Sequence, residues 1–150
     1  MIENKVYSIN VDELDKVRQE ANTSVGHLAE IHGQEIQSWD EYLDKIEVAF
    51  QFPSKWRVNL HGYVDWMKDL DWLGKESYIL IIHDYSSFLL QDLECKELVM
   101  EIFNDEILPW WQKDVALYVA GWKPKRFNIY LVVGELAILD AVGRRQRQLA

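Results

Sequence analysis

Apolar positions along this chain follow two spacings, and the switches between them divide it into short strands and longer helices. Val6 to Ile9 reads as a short edge strand. Asn10 followed by Glu13 resembles a capping arrangement and opens a helix from about Val11 to Ala21, after which Asn22 to Gly26 reads as a turn. His27 to His32 is a short strand and Gly33-Gln34 a turn. Ser38 and Glu41 form an S-x-x-E capping box, behind which Trp39, Tyr42, Leu43, Ile46, Ala49 and Phe50 keep helical spacing. Pro53 is expected to end that helix, because proline cannot donate a backbone N–H and restricts Phe52 before it.

A second helix is expected from Asn59 to about Leu73, with Leu60, Tyr63, Met67 and Leu70 on one side and His61, Val64, Asp65, Lys68, Asp69 and Trp72 opposite. Tyr78 to His83 is a continuous apolar run of strand length, the pattern of a strand buried on both faces. Ser86 to Leu93 suits a short helix, and Glu97 to Trp111 a longer one interrupted near Pro109. Leu117 to Val119 is ambiguous, Phe127 to Val133 is the last strand, and Gly134 to Ala150 reads as a frayed amphipathic helix. Alternation of strands and helices predicts an α/β fold: a small, mainly parallel sheet of three core strands, with an N-terminal edge strand as a fourth candidate, packed with helices. No linker or repeat divides residues 1–150, so a single domain is expected.

Composition narrows the function. With 49% hydrophobic and 13% aromatic residues the chain is not disordered, and its seven Trp, seven Tyr and five Phe exceed what a core of this size needs. The single cysteine, Cys95, excludes an internal disulfide and a cysteine-rich metal cluster. No secretory pattern opens the chain and no run is long enough to span a membrane, so a soluble cytoplasmic protein is the default expectation. The net charge of −9 is uneven: residues 1–120 carry 23 acids against 10 bases, and residues 121–150 carry 2 acids against 6 bases. An acidic body argues against direct nucleic-acid binding and for a cationic partner, although many soluble proteins are simply acidic.

Several segments in order carry a resemblance. Ile31-His32-Gly33-Gln34-Glu35-Ile36, the Phe52-Pro53 pair, Asn59 with Asp65 six residues on, YILIIHD, VMEIFND (Val99 to Asp105) and FNIYLV together resemble the barstar family of ribonuclease inhibitors over about residues 27–133. Residues 1–26 are then an N-terminal extension and 134–150 a tail. The resemblance implies a barstar-like fold and a protein that blocks a cationic ribonuclease or nuclease toxin, as an immunity protein, without being an enzyme. No cofactor, metal, membrane or direct nucleic-acid contact is expected, and the oligomeric state is left open with a monomer as the default. Asp65 matches the acid that family members insert among the enzyme's phosphate-binding cations, and Asp105 the family's other acidic contact position.

Departures from the family concentrate at the contact surface. The loop after Phe52-Pro53 is Ser54-Lys55-Trp56-Arg57-Val58, where only Trp56 keeps the family's aromatic character. His61 replaces an acid, and Val64 stands where the family's namesake has a tryptophan. The expected partner surface is therefore Asp65, flanked by His61, Val64, Trp56, Lys55 and Asp69, with Asp105, and its target is expected to differ from barnase. Asp65 and Asp69 at i, i+4, and Asp69 and Asp71 near the helix C-terminus, would work against an isolated helix and make sense opposite a cationic partner.

Two other readings compete. One is a non-inhibitory binding module using Lys55, Trp56 and Arg57. The other is a small metal-assisted enzyme drawing on His61, Asp65, His83 and Asp84, although no metal-ligand or nucleophile motif accompanies them. Pro109-Trp110-Trp111 reads as helix-end packing, and Arg144, Arg145 and Arg147 as a solvated basic end.

Overall fold

Four parallel strands form one sheet in a computed structural model that describes residues 3–21, 24–53 and 59–134. The strands are β1 (Val6–Ile9), β2 (Gly26–His32), β3 (Ser77–His83) and β4 (Arg126–Val132), in the order β1-β4-β3-β2. Gly26 to His32 pair in register with Ser77 to His83, and Val6 faces Ile129 across the other edge. The edge strand expected at Val6 is therefore present. β3 sits inside the sheet, and Tyr78 to Ile82 are all buried, as a continuous apolar run in a parallel sheet requires.

The two sheet faces have different covers. Ala29, Ile31, Leu80, Ile82, Ile129 and Leu131 pack under helices α2 (Trp39–Ala49), α3 (Leu60–Met67) and α4 (Leu93–Ile102). Ile79, Ile81, Tyr130 and Val132 pack under α1 (Leu14–Ala21) through Leu14, Val17 and Ala21. Asn4 stitches the N-terminal segment to the rest: its amide donates to the Leu108 and Lys125 carbonyls, and its oxygen accepts the Phe127 N–H at 2.9 Å. Gly33 is required where β2 exits, since a Cβ there would lie 2.3 Å from the Asp84 carbonyl oxygen.

Helix ends differ from expectation in instructive ways. Ser38 accepts the Glu41 N–H at 3.1 Å as a cap should, but Glu41 reaches back to the N–H of Gln37. α2 stops before Pro53 acts: Gln51 is left-handed at φ 53°, Phe52 N–H bonds to the Glu47 carbonyl, and Gln51 N–H to that of Val48. That is a Schellman ending, with Pro53 following it. Ser86 to Gln91 is a series of turns with Leu89 left-handed at φ 52°, where a helix was expected over Ser86 to Leu93. The long helix starts earlier than Glu97, at Leu93, because Asp92 caps it by accepting the Cys95 N–H at 3.1 Å.

Pro109 does not interrupt that helix. α4 passes through widened π-helical turns at Phe103–Ile107 and Trp110–Asp114 into α5 (Val115–Tyr118). Pro109 has φ −64° and ψ −33°, which its ring favours, and its missing N–H falls between turns that have already left the regular ladder. The 134–150 helix lies outside the described residues from 135 onward.

Candidate functional site

α3 is held at both ends and along its inner face. Asn59 caps it, its side-chain oxygen accepting the Gly62 N–H at 2.8 Å. Tyr63 and Met67 are fully buried beneath it, and the Tyr63 hydroxyl bonds to that of Tyr42. Burial raises the ionisation range of both phenols, so both stay neutral. The Tyr63 and Trp39 rings also meet edge to face, 5.5 Å between centroids at 87°.

Two indoles secure the other end. Trp111 donates its ring N–H to the Met67 carbonyl at 2.9 Å, and Trp110 donates to the Lys68 carbonyl at 2.8 Å. These carbonyls belong to the last turn, where helices leave acceptors unsatisfied. A third indole, Trp72, donates to the Phe50 carbonyl at the end of α2 and packs edge-on against Phe52 and Trp66. Pro109-Trp110-Trp111 thus does more than fill space at a helix end, and Trp72 is packed rather than displayed.

α3 ends at Met67, earlier than Leu73, because Leu70 turns left-handed at φ 54°. Asp69 therefore lies beyond the helix, and its carboxylate accepts the Asp71 N–H at 3.0 Å. The like-charge pair Asp65 and Asp69 is not a helical i, i+4 pair, and that argument for a cationic partner falls away.

On the outer surface of α3, His61 and Asp65 are exposed and Val64 is half-buried. No hydrogen bond or ion pair among the described residues engages the Asp65 carboxylate. The widened turn Phe103–Ile107 packs against α3 and exposes Asp105 and Glu106. Lys68 ties the two elements together: its ammonium meets Glu106 at 3.1 Å and lies 5.3 Å from the Trp110 ring centre. His61, Val64, Asp65 and Asp105 are thereby carried on two packed elements, whereas Lys55 and Trp56 fall in residues 54–58, outside the described residues.

The other titratable cluster has a different construction. Glu30 on β2 receives Arg18 through two hydrogen bonds, at 2.8 and 3.1 Å, and meets His83 at 2.6 Å, while His83 stacks on His32. Arg18's hydrogen bonds hold the Glu30 carboxyl below its usual range against the opposing effect of burial, and His83 adds to the lowering. His83 is thus engaged by Glu30 rather than by His61 or Asp65. Among the described residues no group of three His, Cys, Asp or Glu is placed to hold a metal ion. Burial pushes the Cys95 thiol up, the opposite of an activated nucleophile.

The family model described as Barstar (barnase inhibitor) matches residues 26–121. The chain belongs to the barstar family. No curated protein matches it. Membership points to a ribonuclease-inhibitor-like role with a ribonuclease as protein partner, and it fits the parallel α/β architecture. β1, α1 and β4 lie outside the matched residues, and α1 covers the second sheet face. No helix among the described residues is long and apolar enough to cross a membrane.

Sequence reasoning missed Lys68–Glu106 as a tie between elements and the two indole bonds to α3. The Trp110-Trp111 pair was the available signal. Its acceptors lie 42 and 44 residues away and carry no sequence mark, since any residue offers a carbonyl.

Proposed function

We propose that this barstar-family protein is a cytoplasmic immunity protein that inhibits a cationic ribonuclease or nuclease toxin. Asp65 enters the enzyme's phosphate-binding site, flanked by His61 and Val64 from the same helix. Asp69 and Asp105 extend the negative surface, and Lys55 and Trp56 complete the contact from the preceding loop. The whole of 1–150 acts as one monomeric domain, with residues 1–26 as an extension of the barstar core.

One observation carries this reading: an exposed carboxylate without a partner among the described residues stands on a helix whose first and last turns are both fixed by side chains. A nuclease holds a phosphodiester with cationic donors, and a carboxylate satisfies those donors through charge-assisted hydrogen bonds. Holding it rigidly means little conformational freedom is lost on association. The net charge of −9 steers a basic enzyme toward the face.

Competition tests the placement. A nucleotide that occupies the phosphate site of a ribonuclease captured on this protein is expected to displace it competitively. Simultaneous binding of nucleotide and protein would place Asp65 elsewhere.

A further inference from the structure

Beyond the expected contacts, one part of this surface already holds a cation. Lys68 is the residue just after α3, and its ammonium is shared between the Glu106 carboxylate at 3.1 Å and the Trp110 ring at 5.3 Å. Trp110 cannot swing away freely, because its indole N–H is bonded to the Lys68 carbonyl at 2.8 Å. Its ring is stacked on Tyr118, with centroids 6.0 Å apart and planes at 14°. Tyr118 is 76% exposed and its neighbour Leu117 is 71% exposed, the two most exposed large apolar side chains of the long helix. A Trp ring beside a carboxylate is a favoured place for a guanidinium or ammonium group.

We propose that Glu106 and the Trp110 ring, itself stacked on Tyr118, form a cation subsite within the partner-binding face. Lys68 occupies it in the free protein, and an arginine of the basic partner takes it in the complex. This rests on the inhibitory reading for the identity of the partner, but the subsite's chemistry is independent of it. Charge complementarity selects the occupant. Asp65 and Asp105 are carried on the same pair of packed elements, Asp69 follows just beyond α3, and Lys68 is the cation already in contact with Glu106. Exchange is favoured by the fit of a planar guanidinium, which stacks on a ring and bonds a carboxylate together, whereas an ammonium is a more strongly hydrated point charge. Leu117 offers apolar surface to the aliphatic stem of the incoming side chain.

The test is a titration with the peptide acetyl-Arg-Arg-Arg-amide, followed by the indole N–H resonance of Trp110, with the citrulline peptide as its neutral counterpart. The arginine peptide is expected to shift that resonance saturably and the citrulline peptide to leave it unmoved. Tyr118→Ala, at a highly exposed position, and Glu106→Gln are expected to weaken the midpoint at least threefold. Lys68→Met is expected to tighten it at least threefold by vacating the subsite. Equal shifts with both peptides, or no tightening in Lys68→Met, would overturn the proposal. Nuclease inhibition that depends on Asp65 while Trp110 ignores the arginine peptide would remove the subsite alone. A normal Trp110 response without any nuclease inhibition would sustain the subsite and remove the inhibitory reading.

Discussion

Trp111 donates its indole N–H to the carbonyl of Met67 at 2.9 Å, joining the buried side of the long helix to the last turn of α3 across 44 residues of chain. Both residues are fully buried, so neither group has water as an alternative. Trp111→Phe keeps an aromatic ring but strands the Met67 carbonyl and leaves a small void. The expected cost is about 2–4 kcal/mol, read as a lower urea midpoint at unchanged slope. Amides in the last turn of α3 should exchange faster in the same variant. An unchanged midpoint would mean that this bond does not hold the helix.

The buried hydroxyls of Tyr42 and Tyr63 bond to each other inside a ring cluster. Either single Phe substitution leaves one hydroxyl without its partner and is expected to cost about 1–3 kcal/mol. The double substitution should cost clearly less than the sum, because both polar groups are then gone. Additive costs would show that the hydroxyls do not depend on each other.

Gln51 holds φ 53° at the end of α2. A left-handed residue with a Cβ costs roughly 1–2 kcal/mol, and glycine returns part of that through its freer unfolded chain, about 0.4–1 kcal/mol. Gln51→Gly is therefore expected to raise thermal stability modestly. Pro53→Ala should change it little, since the Schellman bonds already end the helix. A larger loss from Pro53→Ala than the gain from Gln51→Gly would restore proline as the stop.

Glu30 makes stability depend on pH. Its carboxyl is held low in the folded state, chiefly by Arg18, with His83 contributing. A group lowered by folding stabilises at pH above its unfolded value, about 4.3 for Glu, and that contribution disappears as pH falls through the folded value. The wild-type protein should thus lose stability more steeply below about pH 4.3 than Glu30→Gln does. Parallel curves would show that folding does not hold the Glu30 carboxyl low.

Much of the fold was legible because it is written in local patterns. YILIIH announced a two-sided strand, and it is the buried β3. The Ser38 cap lies where its spacing placed it, and Asn59 stands at the start of the second helix as expected. Helix ends were less legible, because Gln51, Leu70 and Leu89 are left-handed without being glycine. Tertiary packing imposes that conformation, and a propensity argument looks for glycine there. Of the candidate site, His61, Val64 and Asp65 could be placed on one helix from spacing alone. What holds that helix could not, because the indole–carbonyl bonds and the Lys68–Glu106 pair join segments remote in sequence. The expected repulsion between Asp65 and Asp69 failed because the helix ends early, before the left-handed Leu70.

The account turns on Asp65. The most direct measurement is the inhibition constant of the wild-type protein and of Asp65→Asn against a ribonuclease captured from the native cell, at low and at high salt. Removing one partner of a buried, charge-paired contact is expected to cost about 2–5 kcal/mol, or roughly 30- to 5,000-fold in that constant. The wild type should weaken more steeply with salt than the variant. Equal inhibition by the two proteins, with equal salt dependence, would contradict the placement of Asp65 in the enzyme's phosphate site.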